Sequence, residues 1–285
     1  MGDSHRHAMT GVATGGFVVT ADGIAAYNSM LIEAVAIPFM LLGAISFAVH
    51  YYLLQGDVDL LWDDAQTRWL FALTGVGTVI VGGILLATYP SLDAARYGAF
   101  QLISALTCTG FQTDTGLGDR WPVAGQIVVM SAMVIGGAAG STAGGIKLIR
   151  AISLTKGTLY SVTDYFYEED TRDFAIADEE ADVTAGQTST EFDQAAVIGF
   201  LWIVLLVVVV LVSLIGLPTG QKGYALGDVL FEVASAQGNV GLSAGITDSG
   251  MPSSVKLAFV ASMWIGRLEI IPILVMMRVL ILGFE

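Results

Sequence analysis

Ser104-Ala105-Leu106-Thr107-Cys108-Thr109-Gly110-Phe111 is a short run of small and polar residues inside a sequence otherwise apolar enough for a lipid bilayer. The run recurs. Ser235-Ala236-Gln237-Gly238-Asn239-Val240-Gly241-Leu242 keeps the same step from Ser to Gly, and Thr10-Gly11-Val12-Ala13-Thr14-Gly15-Gly16-Phe17 is a looser copy near the start. Three copies of one pattern form a repeat. Each has Thr, Cys or Asn two places before its last Gly and a large apolar residue after it. Gly at that place permits a left-handed backbone or a close approach to another segment. Irregular backbone at membrane depth is tolerated only where it is buried in protein or lines a watery cavity. Carbonyls freed from helix bonding there can replace the hydration shell of an ion. Any one copy alone would read more simply as a Gly-rich turn between helices.

The rest of the composition agrees with a membrane setting. The chain has 285 residues, 54% hydrophobic and only 13% charged, with a mean hydropathy of +0.71. That is the profile of an all-α polytopic membrane protein, since spanning segments must satisfy their backbone internally. Acidic residues outnumber basic ones 26 to 12, a net charge of −14, which excludes a nucleic-acid partner that needs a basic surface. The acidic excess also suggests a surface adapted to high salt and a halophilic source. Cys108 is the only cysteine, so neither an intrachain disulfide nor a multi-cysteine metal site can form. Residues 1–10 contain no signal-peptide core.

In chain order, Asp3 to Thr10 reads as the tail of a short helix entering the first copy. His5 and His7 on it lack a third metal ligand nearby and read as a solvated face. Ala34 to Gly56 has no Asp, Glu, Lys or Arg and is long enough to form a first span, with Pro38 able to kink it. A polar connection over residues 55–68 precedes a second charge-free span, Trp69 to Leu92. From Asp93 to Leu106 the chain is helical but too short to cross the bilayer, so with the Gly run it predicts a re-entrant pore loop. The C-terminal end of such a helix carries partial negative charge toward the run, which favours a cation. A third span, residues 121–146, is interrupted by Gly136-Gly137-Ala138-Ala139-Gly140-Ser141-Thr142-Ala143-Gly144-Gly145. So many glycines make continuous helix improbable. Lys147 and Ser141 invite a phosphate-loop reading, but the order of residues is wrong and no strand precedes them. An intramembrane loop able to obstruct or clear a pore fits better.

Residues 151–193 carry Asp164, Glu168, Glu169, Asp170, Asp173, Asp178, Glu179, Glu180 and Asp182 and read as a solvated acidic loop without Ca-loop spacing. Gln194 to Gln221 forms a fourth span, Tyr224 to Gln237 a second short helix entering the third copy, and Val255 to Gly283 a fifth span. Arg267 and Glu269 lie in that last span, where ionisable groups are functional candidates by default. Two apart on a helix, they do not face each other, and carbonyls of the 136–145 loop are natural partners for Arg267. Ser141 has no neighbouring His in sequence to act as a base, so an enzyme is not indicated. Lys and Arg divide four against five between the two sides of this topology and leave its orientation open.

Leu106-Thr107-Cys108-Thr109-Gly110-Phe111, Ile135 through Lys147, Gly238-Asn239-Val240-Gly241 and Gly266-Arg267-Leu268-Glu269 together resemble the TrkH/KtrB superfamily of potassium-uptake proteins. The resemblance covers nearly the whole chain and implies repeated helix, pore-loop, helix units around one potassium path in the cell membrane. It implies that residues 1–54 form the run and second helix of repeat two, 66–153 repeat three with the loop 136–145, 154–193 an acidic cytoplasmic loop, and 194–285 repeat four. On that basis Thr14, Gly15, Gly16, Thr107, Cys108, Thr109, Gly110, Gly238, Asn239, Val240 and Gly241 are the expected selectivity filter. Cys108 departs from the family's usual Thr. Gly136, Gly137, Gly140, Ser141, Thr142, Gly144, Gly145, Lys147 and Arg267 are the expected gate. No cofactor is implied beyond potassium as the transported ion. Lipid surrounds the protein, a homodimer is expected, and the partner is a cytosolic nucleotide-binding subunit of the TrkA-like, RCK type. The first repeat is expected to be missing, which would make the alternative a non-conducting chain that needs another segment.

Overall fold

The structure is a computed structural model describing residues 2–20, 22–166, 185–217, 223–268 and 270–283. Its helices, in order, are α1 (Gly2–Val12), α2 (Met30–Ala44), α3 (Phe47–Leu54), α4 (Leu60–Asp63), α5 (Ala65–Leu85) and α6 (Ser91–Leu106). They continue as α7 (Val123–Ile135), α8 (Leu148–Phe166), α9 (Ala185–Gly216), α10 (Leu226–Gln237), α11 (Ser253–Leu268) and α12 (Ile270–Leu282). The described residues are all-α.

Local chemistry sets the helix starts. Asp64 caps α5 by accepting the Thr67 amide at 2.7 Å and the Thr67 hydroxyl at 2.6 Å, satisfying donors that the first turn leaves free. Pro90 and Pro122 stand immediately before α6 and α7, where a missing N–H costs nothing. Asp228 reaches back to the Ala225 amide at 2.9 Å at the start of α10.

Two expected spans are broken. Instead of one span from Ala34 to Gly56, α2 and α3 meet at 104°. The bend is not at Pro38, which stays inside α2, but at extended Ile45, after which Ser46 starts a new helix by accepting the Ala48 amide at 3.4 Å. Likewise the segment expected as one span from Val255 to Gly283 is α11 and α12 at 107°. Glu269 lies outside the described residues. The expected acidic loop 151–193 is helical at both ends, because α8 runs to Phe166 and α9 begins at Ala185. Asp164 is thus in helix, and the other acids named for that loop lie outside the described residues. The second span, expected over Trp69 to Leu92, is helical from Ala65 and ends at Leu85.

Ala65–Leu85 and Glu191–Gly216 are each long and apolar enough to cross a membrane. Val76, Val79 and Ile80 on the first, and Phe200, Ile203, Val207, Val208, Leu211 and Ile215 on the second, are exposed, as a lipid-facing surface requires. The short helices pack inward against them. Phe100, Leu102, Ile103, Ala105 and Leu106 of α6 are almost fully buried, as are Val229, Phe231, Val233 and Ala234 of α10. α5 and α6 approach closely where Gly98 faces Gly82, a Cβ on Gly98 falling 2.9 Å from the Gly82 amide nitrogen. Three apolar clusters hold the assembly: one around α5, α6 and α7, one joining α9, α10 and α11, and one joining α2 to α6 through Met40, Phe100 and Phe111.

Candidate functional site

The three Gly runs fold alike, bond for bond. In each, the residue two before the last Gly lies in the left-handed region: Thr14 at φ +46°, Cys108 at +53° and Asn239 at +54°. Its amide bonds to the carbonyl three residues back at 3.1 Å in all three copies (Gly11, Ala105, Ala236). The next amide, of Gly15, Thr109 or Val240, reaches five residues back to Thr10, Ser104 or Ser235 at 2.8, 3.0 and 2.9 Å. This pair of bonds is the Schellman arrangement, which ends a helix and satisfies its last carbonyls. The Gly after it returns to positive φ, at +62° for Gly16, +80° for Gly110 and +100° for Gly241.

Glycine is required there by space as well as conformation. A Cβ on Gly16 would lie 2.2 Å from the Thr109 carbonyl oxygen, and one on Gly110 would lie 1.9 Å from that of Val240. The copies therefore lean on one another in chain order. Gly241 has open room on the corresponding side, its nearest neighbour being the Gly110 Cα at 3.7 Å. Thr14 and Cys108 are buried, and the Thr107 and Thr109 hydroxyls share a hydrogen bond of 2.8 Å. Gly238 is packed under its own helix, and a Cβ on it would lie 2.8 Å from the Met133 carbonyl.

The segment between α7 and α8 is tied in at almost every residue. Gly136 has φ +73° and Gly145 +77°, and the two ends pair through Ile146 to Val134 at 2.9 Å, Lys147 to Ile135 at 3.1 Å and Leu148 to Gly137 at 2.9 Å. It also bonds to the break between α2 and α3: Ala138 N–H to Ala44 at 2.9 Å, Thr142 N–H to Gly43 at 3.2 Å, and Phe47 N–H to Gly140 at 2.9 Å. The Ser141 hydroxyl donates to Ala138 at 2.6 Å, and the Lys147 ammonium to Ala143. A Cβ on Gly144 would lie 2.0 Å from the Gly238 carbonyl oxygen, so the loop abuts the third Gly run.

Thr142 joins the parts. Its carbonyl accepts the Thr14 hydroxyl at 2.8 Å and the Arg267 guanidinium at 2.7 Å, and its own hydroxyl lies within bonding distance of the Val12 and Gly43 carbonyls at 3.0 and 2.9 Å. The structure thus brings together Thr14 of the first run, Thr142 and Gly144 of the loop, Gly238 of the third run and Arg267 of α11.

Several polar residues that sequence reasoning did not single out for a role surround the runs. Buried Glu33 of α2 and half-buried Arg96 of α6 form a two-point ion pair, with both bonds at 2.7 Å, and Thr113 bonds to the same carboxylate. Asp114 accepts the Tyr89 hydroxyl at 2.6 Å, the Trp121 ring N–H at 2.9 Å and the Gly116 amide at 2.9 Å, with Arg120 also on it. Burial opposes the charge on Asp114, but these donors and Arg120 win and hold its carboxyl below its ordinary range. Burial first, then the bond to Asp114, pushes the Tyr89 phenol up. A signal for such residues was available in the sequence, because a lone acid or amide inside a short apolar helix must find a partner.

The model of a protein family described as TrkH, cation transport protein, matches residues 1–282. The chain belongs to the TrkH family. An uncharacterized cation transporter of Methanocaldococcus jannaschii is 31% identical over 98% of this chain and 54% of its own length. The Trk system potassium uptake protein TrkH of Halomonas elongata is 28% identical over 96% of this chain and 55% of its own. The crystal structure of the potassium transporter TrkH from Vibrio parahaemolyticus superposes with a TM-score of 0.82 at 23% identity, covering 96% of this chain and 57% of that one. The chain therefore spans about half the length of the curated relatives it matches. Its membership of the TrkH family makes it a membrane protein of a cation-transport family rather than an enzyme.

Proposed function

We propose that this chain carries potassium across the cell membrane along a path lined by the carbonyls of the three Gly runs, with residues 136–145 forming a gate beneath them. The observation that carries this reading is the threefold recurrence of left-handed residue, intervening residue, left-handed glycine. A strand alternates the direction of its side chains and carbonyls. Two left-handed residues separated by one that is not undo that alternation and turn successive carbonyls toward one side. A stack of such carbonyls can replace a hydration shell. Thr14, Gly15 and Gly16, then Thr107 to Gly110, then Gly238 to Gly241 are the filter in this reading. The loop residues Gly136, Gly137, Gly140, Ser141, Thr142, Gly144, Gly145 and Lys147, with Arg267, are the gate. A guanidinium close below carbonyl sites places positive charge on the route of a cation, which supports a gating role for Arg267. A twofold assembly and a cytosolic nucleotide-binding regulatory partner belong to the same proposal.

A second reading has one observation in its favour. Gly16 and Gly110 each press on a carbonyl of the next copy, while Gly241 meets only the Gly110 Cα of the copy before it, at 3.7 Å. Conduction would then require a further filter-bearing segment beside Gly241. Rubidium uptake into potassium-loaded liposomes tests both readings, using the chain alone and the chain co-reconstituted with the first repeat of a full-length relative. Uptake by the chain alone supports the first reading, and uptake only with the added segment supports the second. Absence of uptake in both arrangements overturns potassium transport.

A further inference from the structure

The short helices α1, α6 and α10 each carry one polar residue at the same place before the filter glycine: His7, Gln101 and Glu232. Gln101 is fully buried, and its side-chain oxygen accepts the amide of Thr113 at 2.8 Å. Glu232 is 3% exposed, and one carboxylate oxygen accepts the amide of Ala244 at 2.7 Å. Thr113 and Ala244 occupy the same place after Gly110 and Gly241. Two repeats with different sequences thus use one device, a helix side chain that grips the segment leaving the filter. The His7 ring Nε2 is buried without a hydrogen-bond partner among the described residues.

Glu232 grips more firmly than its counterpart. Its other oxygen accepts the Ser243 hydroxyl at 2.8 Å and the Thr247 amide at 3.0 Å. Ser243 in turn meets Gln112 of the neighbouring copy, whose side-chain nitrogen donates to the Ser243 carbonyl at 3.4 Å and to that of Asp114 at 2.9 Å. The carboxylate therefore sits at the root of the linkage that sets the spacing between the second and third filter copies.

We propose that Glu232 is a positioning residue that sets the discrimination between potassium and sodium, by fixing where the segment after Gly241 lies relative to the second filter copy. This rests on the reading of the Gly runs as an ion path. Sodium is the smaller ion, so a filter free to change its spacing loses the mismatch that rejects it.

The test uses the purified 285-residue chain and the cation dependence of its thermal unfolding, titrated separately with potassium and with sodium. The wild type is expected to be stabilised at lower potassium than sodium concentration. Glu232→Ala should narrow the ratio of the two half-saturating concentrations at least tenfold. Glu232→Gln keeps the size but offers one acceptor oxygen instead of two, and should fall between. Val233→Ala, a neighbour in the apolar core away from the filter, should lower the unfolding temperature and leave the ratio unchanged, which separates positioning from general stability. If Glu232→Ala does not fold, Glu232→Gln decides. A wild-type ratio in the folded Glu232 variants overturns the inference and leaves the ion path standing. A wild type indifferent to both cations, alone and together with the first repeat of a full-length relative, overturns the ion path and the inference with it.

Discussion

The Arg267 guanidinium and the Thr14 hydroxyl bond to the same carbonyl oxygen, that of Thr142, at 2.7 and 2.8 Å. One atom of the loop is thus held from both sides, by the first Gly run and by the helix that follows the third. Arg267→Gln should release one side and also remove positive charge beneath the filter, raising rubidium flux into liposomes about tenfold, the scale of one charge-assisted hydrogen bond. Arg267→Lys keeps the charge and loses the planar fork. A rise in flux with Lys as well would assign the effect to anchoring, and unchanged flux in both variants would remove Arg267 from the gate.

Thr142→Val keeps the backbone carbonyl and deletes the hydroxyl that serves Val12 and Gly43. Losing that one donor should cost about 0.5–1.5 kcal/mol, since Val12 is exposed and Gly43 still accepts the Thr142 amide, read as a lower midpoint in thermal unfolding. Flux should rise less than in Arg267→Gln, because both bonds to the carbonyl remain.

Gly110→Ser should abolish selective rubidium uptake, since its Cβ would fall 1.9 Å from the Val240 carbonyl oxygen at a φ of +80°. Gly16→Ala should behave similarly, its Cβ meeting Thr109. Gly241→Ala meets nothing closer than 3.7 Å and carries only the conformational cost of φ +100°, roughly 1–2 kcal/mol. The milder loss in Gly241→Ala is checked by comparing rubidium and sodium uptake across the three variants. Equal, wild-type uptake in Gly110→Ser would take that residue out of the filter.

Asp114 supplies a pH dependence of defined sign. Its folded-state value lies below the ordinary one, so its contribution to stability is fully present above the unfolded carboxylate range, about pH 4. That contribution is lost as pH falls through the lower folded-state value. The thermal unfolding midpoint of the wild type should therefore fall below about pH 4. Asp114→Asn should start from lower stability at neutral pH and show a flatter slope in that range, and a slope equal to wild type would contradict the assignment.

The repeat was legible because its signal is compositional: Gly and small polar residues stand out against apolar spans, and Ser104 to Gly110 can be laid directly on Ser235 to Gly241. The same logic exposed the interrupted third span. The bends were not legible, because charge-free stretches such as Ala34 to Gly56 look continuous and the one visible helix breaker, Pro38, is not where the chain turns. At Ile45 the helix yields because the loop takes its carbonyls, Gly43 and Ala44 bonding to Thr142 and Ala138. That is a tertiary effect with no local signature. Glu33, Gln101 and Glu232 stand out in sequence as lone polar groups in apolar helices, but their partners Arg96, Thr113 and Ala244 are set by the fold and not by spacing.

Thr14-Gly15-Gly16, Cys108-Thr109-Gly110 and Asn239-Val240-Gly241 differ in their first two side chains and share one backbone course. What such a site must inherit is a count of residues. Substitutions before the glycine can drift, because the groups on offer are carbonyls that every amino acid has. A single inserted or deleted residue between the two left-handed positions would turn everything after it to the opposite side. Length there is the quantity under the tightest constraint, and in a lineage of these transporters the gaps in this tripeptide would be rarer than the replacements.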